Sequence, residues 1–220
     1  MSSELLVDRI EDQFKDPFLQ RASGEAPSAI RSRSRGRVPG EAGVWVFIFG
    51  DLMVFSVFFG VFLYERGHDR EVFEASRETL SPTIGAINTI LLLTASLFVA
   101  LGVQAARRQA STLARRMLVL AMLCGTGFVA NKALEYGSKI QAGHTPGQND
   151  FYMYFFAFTG IHLLHLLLGL LVLGIMWRIA GSRVTSAAGI RNLEAGACYW
   201  HLVDLLWIVL FSLLYLVRSP

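Results

Sequence analysis

The sequence predicts an all-α integral membrane protein, a bundle of five transmembrane helices, on three observations. Of its 220 residues 53% are hydrophobic and only 17% are charged, whereas about a quarter of a soluble domain is charged. The mean hydropathy is +0.46, and long apolar stretches alternate with short charged ones. The apolar stretches are continuous, which favours helices over the short alternating segments of a transmembrane barrel.

The N-terminal region differs from the rest of the chain. Residues 1–40 are polar, contain three prolines and include an Arg/Ser run at 31–37. They have no apolar core of the kind found in a cleaved signal peptide. We expect a short amphipathic helix on the membrane surface at 4–20 and a flexible tail at 21–39. Residues 1–40 are therefore predicted to be a basic, partly disordered tail before a membrane domain at 41–220.

Five apolar segments follow this tail. At roughly 1.5 Å of rise per residue, each is long enough to cross a hydrocarbon core of about 30 Å. All six prolines lie outside these segments, as expected for unbroken helices. The predicted spans are residues 42–64, 84–106, 114–138, 152–177 and 194–217.

The distribution of Lys and Arg predicts the orientation. Fourteen of these residues lie in the N-terminal tail and in the loops after spans two and four, and five lie on the opposite side. Because cytoplasmic segments carry the excess of basic residues, the N-terminus is predicted to be cytoplasmic and the C-terminus outside. The basic residues form no single patch, so nucleic-acid binding is excluded. Aromatic residues near the span ends are typical of an interfacial belt: Trp45, Tyr64, Tyr152, Tyr154, Trp177, Tyr199 and Tyr215.

Ionisable residues inside the spans are the candidate functional residues. A charged group in the bilayer costs a few kcal/mol, so it usually faces the bundle and has a partner. Asp51 lies near the middle of span one with no basic neighbour in that span. It is either neutral in place or paired across helices, and both a proton-relay or lipid-gating role and a structural role stay open. Lys132 and Glu135 are three residues apart, which predicts an ion pair within span three.

Two further pairs lie in the last two spans. His162 and His165 are three residues apart in span four, and His201 and Asp204 have the same spacing in span five. His165 and Asp204 both lie near mid-membrane, so a contact between them is geometrically possible. These four residues suit a first-row metal by chemistry, but the spacing serves hydrogen bonding between helices equally well. The sequence supports a bis-His haem site no better than a metal site, because spacing within a helix does not show that two imidazoles face each other across the bundle. We favour an interhelical polar cluster of His162, His165, His201, Asp204, Glu135 and Lys132, with no catalytic, metal or cofactor-binding residues.

Several motifs resemble those of subunit III of the haem-copper oxidases. Residues 159–165 (TGIHLLH), followed by Gly169, resemble the TG-x-H-x-x-H-x-x-x-G helix of that family. Residues 199–207 (YWHLVDLLW) resemble its final YWH-x-VD-x-x-W helix. The Glu-Tyr pair at 135–136 and the Asn-Thr pair at 88–89 resemble shorter motifs of the same family. The resemblance extends from span two to span five.

Span one resembles the family helix that carries a membrane-embedded carboxylate after Ser or Gly. Most cytochrome c oxidases have Glu at this position, whereas Asp51 is more similar to the quinol-oxidase and nitric-oxide-reductase-associated branches. The long form of the family has seven helices, and the resemblance here is to a short five-helix form. Removing two helices leaves the predicted orientation unchanged. The acidic loop at 70–80, with residues 85–89, resembles the accessory protein of bacterial nitric oxide reductases.

The resemblance implies a non-catalytic subunit of the bacterial plasma membrane that acts in aerobic respiratory electron transport. Its partners would be the catalytic subunit I, which carries the haem and copper, and phospholipids. It would stabilise subunit I and support proton uptake, with Asp51 as the membrane carboxylate near a proton or lipid path. The alternatives are an accessory protein of nitric oxide reductase, a small transporter or proton channel, and a stand-alone membrane oxidoreductase. Against a transporter, five spans do not divide into two inverted repeats, and no span is broken by proline.

Overall fold

The computed structural model describes residues 42–181 and 186–216, and its regular structure is helical throughout that part of the chain. The predicted surface helix at 4–20 and the basic tail lie outside the described residues. The helices are α1 (Ala42–His68), α2 (Arg70–Glu78), α3 (Pro82–Arg107), α4 (Ser111–Gln141), α5 (Asp150–Ala180) and α6 (Ala187–Phe211), and a π-helical segment, Ser212–Leu216, continues α6.

The five long helices confirm the predicted number of membrane spans. Each of α1, α3, α4, α5 and α6 with its continuation is long and apolar enough to cross a membrane, so the chain is a multi-pass membrane protein. Several helices extend beyond the predicted spans, and α6 begins at Ala187 rather than at 194. Helix ends reach the headgroup layer, where polar residues are accommodated, so apolar character alone underestimates helix length.

Local sequence explains where the helices begin and end. Pro82 occupies the first turn of α3, where its missing N–H is not needed. The Asn149 side chain accepts a hydrogen bond of 3.0 Å from the backbone N–H of Tyr152 and so caps α5, and Ser186 caps α6 in the same way. The chain leaves α4 through Gly143 at φ +85°, a backbone conformation that glycine adopts without steric cost.

Helix α2 was not predicted. It is short and strongly amphipathic, and it buries Phe73 and Ser76. The Phe73 ring meets Phe62 of α1 edge-on, with 5.5 Å between the ring centroids. Arg66 of α1 donates to the Glu74 carboxylate at 2.8 Å. The acidic loop is therefore a helix attached to the end of α1.

Four of the long helices form a ring. Helix α3 packs against α4, α4 against α5, α5 against α6, and α6 against α3. Helix α1 lies outside this ring, against α6 and against Phe158 of α5 through Phe58 and Phe62. Large aromatic side chains, including Trp200 and Trp207, are fully buried in the core. This arrangement separates polar residues enclosed by the ring from those on its outer faces.

Candidate functional site

Asp51 of α1 is paired across helices with His165 of α5. Asp51 Oδ1 lies 3.2 Å from His165 Nε2, and the two side chains are 12% and 15% exposed. On its other side the His165 ring donates from Nδ1 to the backbone carbonyl of Ile161 at 2.8 Å, since a carbonyl oxygen only accepts. Of the two states left open for Asp51, the geometry selects pairing between helices.

The contact between Asp51 and His165 requires a proton. Because Nδ1 carries the hydrogen donated to Ile161, a neutral imidazole presents only a lone pair at Nε2. A lone pair facing a carboxylate oxygen at 3.2 Å is repulsive. With Nδ1 donating to Ile161, Nε2 and Oδ1 form a hydrogen bond between α1 and α5 when a hydrogen is present on one of these two atoms. Asp51 Oδ2 is buried and has no hydrogen-bond partner among the described residues.

Lys132 and Glu135 lie at the centre of a second polar group. Lys132 Nζ is 2.8 Å from Glu135 Oε2, and both side chains are almost completely buried. Tyr215, in the segment that continues α6, donates to Glu135 Oε1 at 2.7 Å and accepts from Lys132 at 3.1 Å. The ammonium also lies 5.0 Å from the ring centroids of Phe155 and Trp207, within cation–π range. The side chains of Lys132, Glu135 and Tyr215 are thus hydrogen-bonded to one another inside the ring.

His201 and Asp204 lie between α3 and α6. Asp204 Oδ2 is 3.8 Å from His201 Nδ1, too far for a hydrogen bond. His201 Nδ1 instead forms a 2.6 Å hydrogen bond with Ser96 of α3. The Asp204 side chain is 6% exposed and that of His201 is 44% exposed. This pair therefore opens to the outer surface of the ring.

His162 is enclosed by aromatic rings. Its side chain is fully buried, with Phe128 and Trp207 at 5.6 and 5.2 Å between ring centroids. Neither ring nitrogen has a hydrogen-bond partner within the described part of the chain. The structure thus assigns this histidine to packing between α4, α5 and α6.

The six residues expected to form one polar cluster are not joined in a single hydrogen-bonded group within the described residues: Lys132 bonds to Glu135, His165 pairs with Asp51, and His201 bonds to Ser96. His162 has no hydrogen-bond partner there and shares the Trp207 ring with Lys132. The possible contact between His165 and Asp204 is not made, because equal depth does not fix the rotation of a helix about its axis. His165 faces α1, whereas Asp204 faces α3. Over residues 42–181 and 186–216, no three His, Cys, Asp or Glu side chains converge to hold a metal ion.

Sequence reasoning missed several polar partners. Tyr152 and Tyr215, predicted to belong to the interfacial belt, are 1% and 2% exposed, so their rings pack against the protein's own helices. The Tyr152 hydroxyl bonds to Thr79 at 2.8 Å. Arg107 and Glu194 form an ion pair of 2.9 Å between α3 and α6. The partners are more than 70 residues apart in the sequence, so no spacing rule brings them together.

Fold and polar contacts together define a helical membrane protein whose buried polar residues join neighbouring helices. The chain belongs to the cytochrome c oxidase subunit III family, since the sequence profile of that family matches residues 37–219. The match includes all five membrane-spanning helices.

Individual relatives agree with this assignment. Cytochrome c oxidase subunit 3 of Thermostichus vulcanus is 30% identical, over 80% of this chain and 86% of that protein. The same subunit of Corynebacterium diphtheriae is 29% identical, over 88% and 95%. Cytochrome bo(3) ubiquinol oxidase subunit 3 of Buchnera aphidicola is 25% identical, over 79% and 92%. These relationships support a subunit III of a haem-copper oxidase and do not favour the nitric-oxide-reductase or transporter alternatives.

Proposed function

We propose that this subunit III stabilises the catalytic subunit I of a terminal oxidase and supports its proton uptake, and that it has no redox centre of its own. Haem and copper are carried by subunit I. The observation that carries the proposal is the Asp51–His165 pair, two ionisable side chains on different membrane helices whose facing atoms, Oδ1 and Nε2, lie 3.2 Å apart. The distribution of basic residues supports a cytoplasmic N-terminus in a bacterial plasma membrane.

The position of this pair suits proton exchange. Helix α1 lies outside the four-helix ring, and both side chains of the pair are slightly exposed. Asp51 Oδ2 is buried and has no hydrogen-bond partner among the described residues, so no described side chain engages its lone pairs. We infer that Asp51 and His165 bind and release a proton. The pair would lie beside the lipid, at the periphery of the oxidase complex. Ionisable residues inside membrane proteins commonly serve such relays.

Asp51→Asn in the assembled oxidase tests this role. An amide retains the size of the carboxyl but cannot release a proton, so assembly is expected to persist while proton uptake slows and activity decays several-fold sooner during turnover. The measurements are co-purification with subunit I, proton uptake in vesicles, and oxygen consumption followed over many turnovers.

Two further variants sharpen the experiment. Gly50→Ala changes the neighbouring residue, where an added Cβ meets no atom within 4 Å, and should leave activity unchanged. Asp51→Glu retains the titratable group and should restore much of the lost function. If Asp51→Asn sustains turnover as long as the native protein does, Asp51 is a structural residue only.

The exposed His201 supports a protein partner on the outer face between α3 and α6. His201 lies midway along the last span, Ala187–Leu216, where lipid offers no hydrogen bond. It borders a groove of about 360 Å³ that small residues such as Ala100 and Ala197 also line. Small residues allow a neighbouring helix to approach closely. We therefore place subunit I on this face.

His201→Leu is expected to weaken the association with subunit I, because it removes an exposed polar group from the proposed contact. The fraction of subunit I retained during purification in mild detergent should fall several-fold, while the helical content of the isolated chain is unchanged. The matched control is Thr126→Val on α4, another exposed polar side chain, whose hydroxyl donates to the Met122 carbonyl of its own helix. Equal retention by the two variants would contradict this placement.

A further inference from the structure

A pocket that contains neither Asp51 nor any other residue of α1 opens where α4 begins and α5 ends. Its volume is about 550 Å³, and its walls include Thr112, Arg115 and Arg116 of α4 and Trp177 of α5. These residues lie in the first turns of one membrane-spanning helix and the last turn of another. The pocket is therefore at the level of the lipid headgroups.

The outer part of the pocket is cationic. The Arg115 guanidinium lies 4.0 Å above the Trp177 ring centroid, and this cation–π contact fixes its position. Arg116 is exposed, and no ion pair or hydrogen bond engages its side chain within the described residues. None of the residues that line the pocket is Asp or Glu. Two guanidinium groups without a carboxylate, beside the Thr112 hydroxyl, match the chemistry of a phosphate ester.

The inner part of the pocket is apolar. Val119 and Leu120 also line it, and Leu120 is one helical turn, roughly 6 Å, deeper than Arg116. These two side chains are 38% and 37% exposed, and Leu123, another turn along α4, is 63% exposed. The groove therefore changes from cationic to apolar in the direction of the bilayer centre.

We propose that this pocket is a binding site for an anionic phospholipid. Arg115 and Arg116 bind the phosphate, Thr112 donates a hydrogen bond to it, and one acyl chain lies along Val119, Leu120 and Leu123. A free phosphate would use only the cationic part, whereas a phospholipid uses both parts. Basic pockets between transmembrane helices are a recognised form of lipid headgroup site. This site does not rest on the proposed function, because its residues take no part in the Asp51–His165 pair or in the His201 face.

The test uses the purified full-length chain, delipidated in mild detergent. Native mass spectrometry would count the retained molecules of phosphatidylglycerol and of phosphatidylcholine with identical acyl chains. We expect selective retention of phosphatidylglycerol, and an affinity about tenfold weaker in Arg116→Gln, which loses one charge-assisted contact. Since Arg116 has no partner among the described residues, this variant should fold normally. Arg108→Gln, a basic residue outside the pocket, is the matched control.

Two further measurements separate a lipid from an inorganic ion. Leu120→Ser should weaken retention of phosphatidylglycerol, and inorganic phosphate at the same concentration should not raise the melting temperature as the lipid does. Equal retention of the two lipids, or equal losses in Arg116→Gln and Arg108→Gln, would overturn the proposal. Stabilisation by phosphate alone, with no effect of Leu120→Ser, would also overturn it in favour of a simple anion site.

Discussion

Lys132→Met is expected to destabilise the folded protein by about 3–5 kcal/mol, the usual effect of removing one partner of a buried ion pair. The substitution leaves the Glu135 carboxylate in the interior of the ring, where the Tyr215 hydroxyl is its remaining hydrogen-bonding side chain among the described residues. Because a buried charge without a counter-charge is strongly disfavoured, the yield of folded protein and its melting temperature in detergent should both fall sharply.

A double-variant cycle tests this explanation. Replacing both Lys132 and Glu135 by Met removes both charges, and the double variant should recover much of the stability lost in either single variant. Arg70→Met, which removes an exposed basic side chain from α2, is the control and should change stability little. If the two single losses simply add in the double variant, the residues do not act as a pair.

Trp200→Ala is expected to lower the free energy of unfolding by a similar amount, about 3–5 kcal/mol, because it leaves a cavity in the buried core. The indole is 0% exposed and fills a slot between α4 and α5. Glycines form both walls of this slot: a Cβ on Gly125 would lie 2.9 Å from Trp200 Cη2, and one on Gly169 would lie 3.1 Å from Cε3. The tryptophan and the two glycines are therefore complementary in size.

The complementarity can be tested from the other side of the slot. Gly125→Val should overfill it and destabilise the fold by about 1–3 kcal/mol, and Trp200→Phe in the same chain should relieve part of this loss. Gly174→Val, where an added Cβ meets no atom within 4 Å, is the matched control. Thermal unfolding in detergent gives the comparison, and a Gly125→Val protein as stable as the control would show that the slot is not tightly packed.

The membrane spans were predictable because the length of an apolar segment can be read directly from consecutive residues in the sequence. The Lys132–Glu135 pair was predictable for the same reason, since spacing within one helix fixes which residues share a face. Helix α2 was missed because nine residues with a few apolar side chains look like a loop until Phe62 of α1 provides a surface for Phe73.

The partners across helices were not predictable. Sequence gives the depth of His165, Asp204 and Asp51 in the membrane, but not the rotation of each helix about its axis. Rotation depends on the packing of all the helices together, and it directs His165 to Asp51 rather than to Asp204. Tyr215 illustrates the same limit, because its hydroxyl reaches a carboxylate 80 residues earlier in the chain.

The position of α1 outside the ring has a consequence for biosynthesis. Ribosomes deliver this helix to the membrane before α5 and α6 exist, so α1 must insert without the surfaces that it later covers. It is the most apolar of the five spans, and α4, which carries Lys132 and Glu135, is the least apolar. Helix α1 is therefore apolar enough to be stable in lipid before α5 and α6 are synthesised. The less apolar α4 is inserted directly after α3, so that a neighbouring helix is already present to pack against it. The helix that is inserted before its packing partners is therefore the most apolar, and the least apolar helix is inserted when a partner is already present.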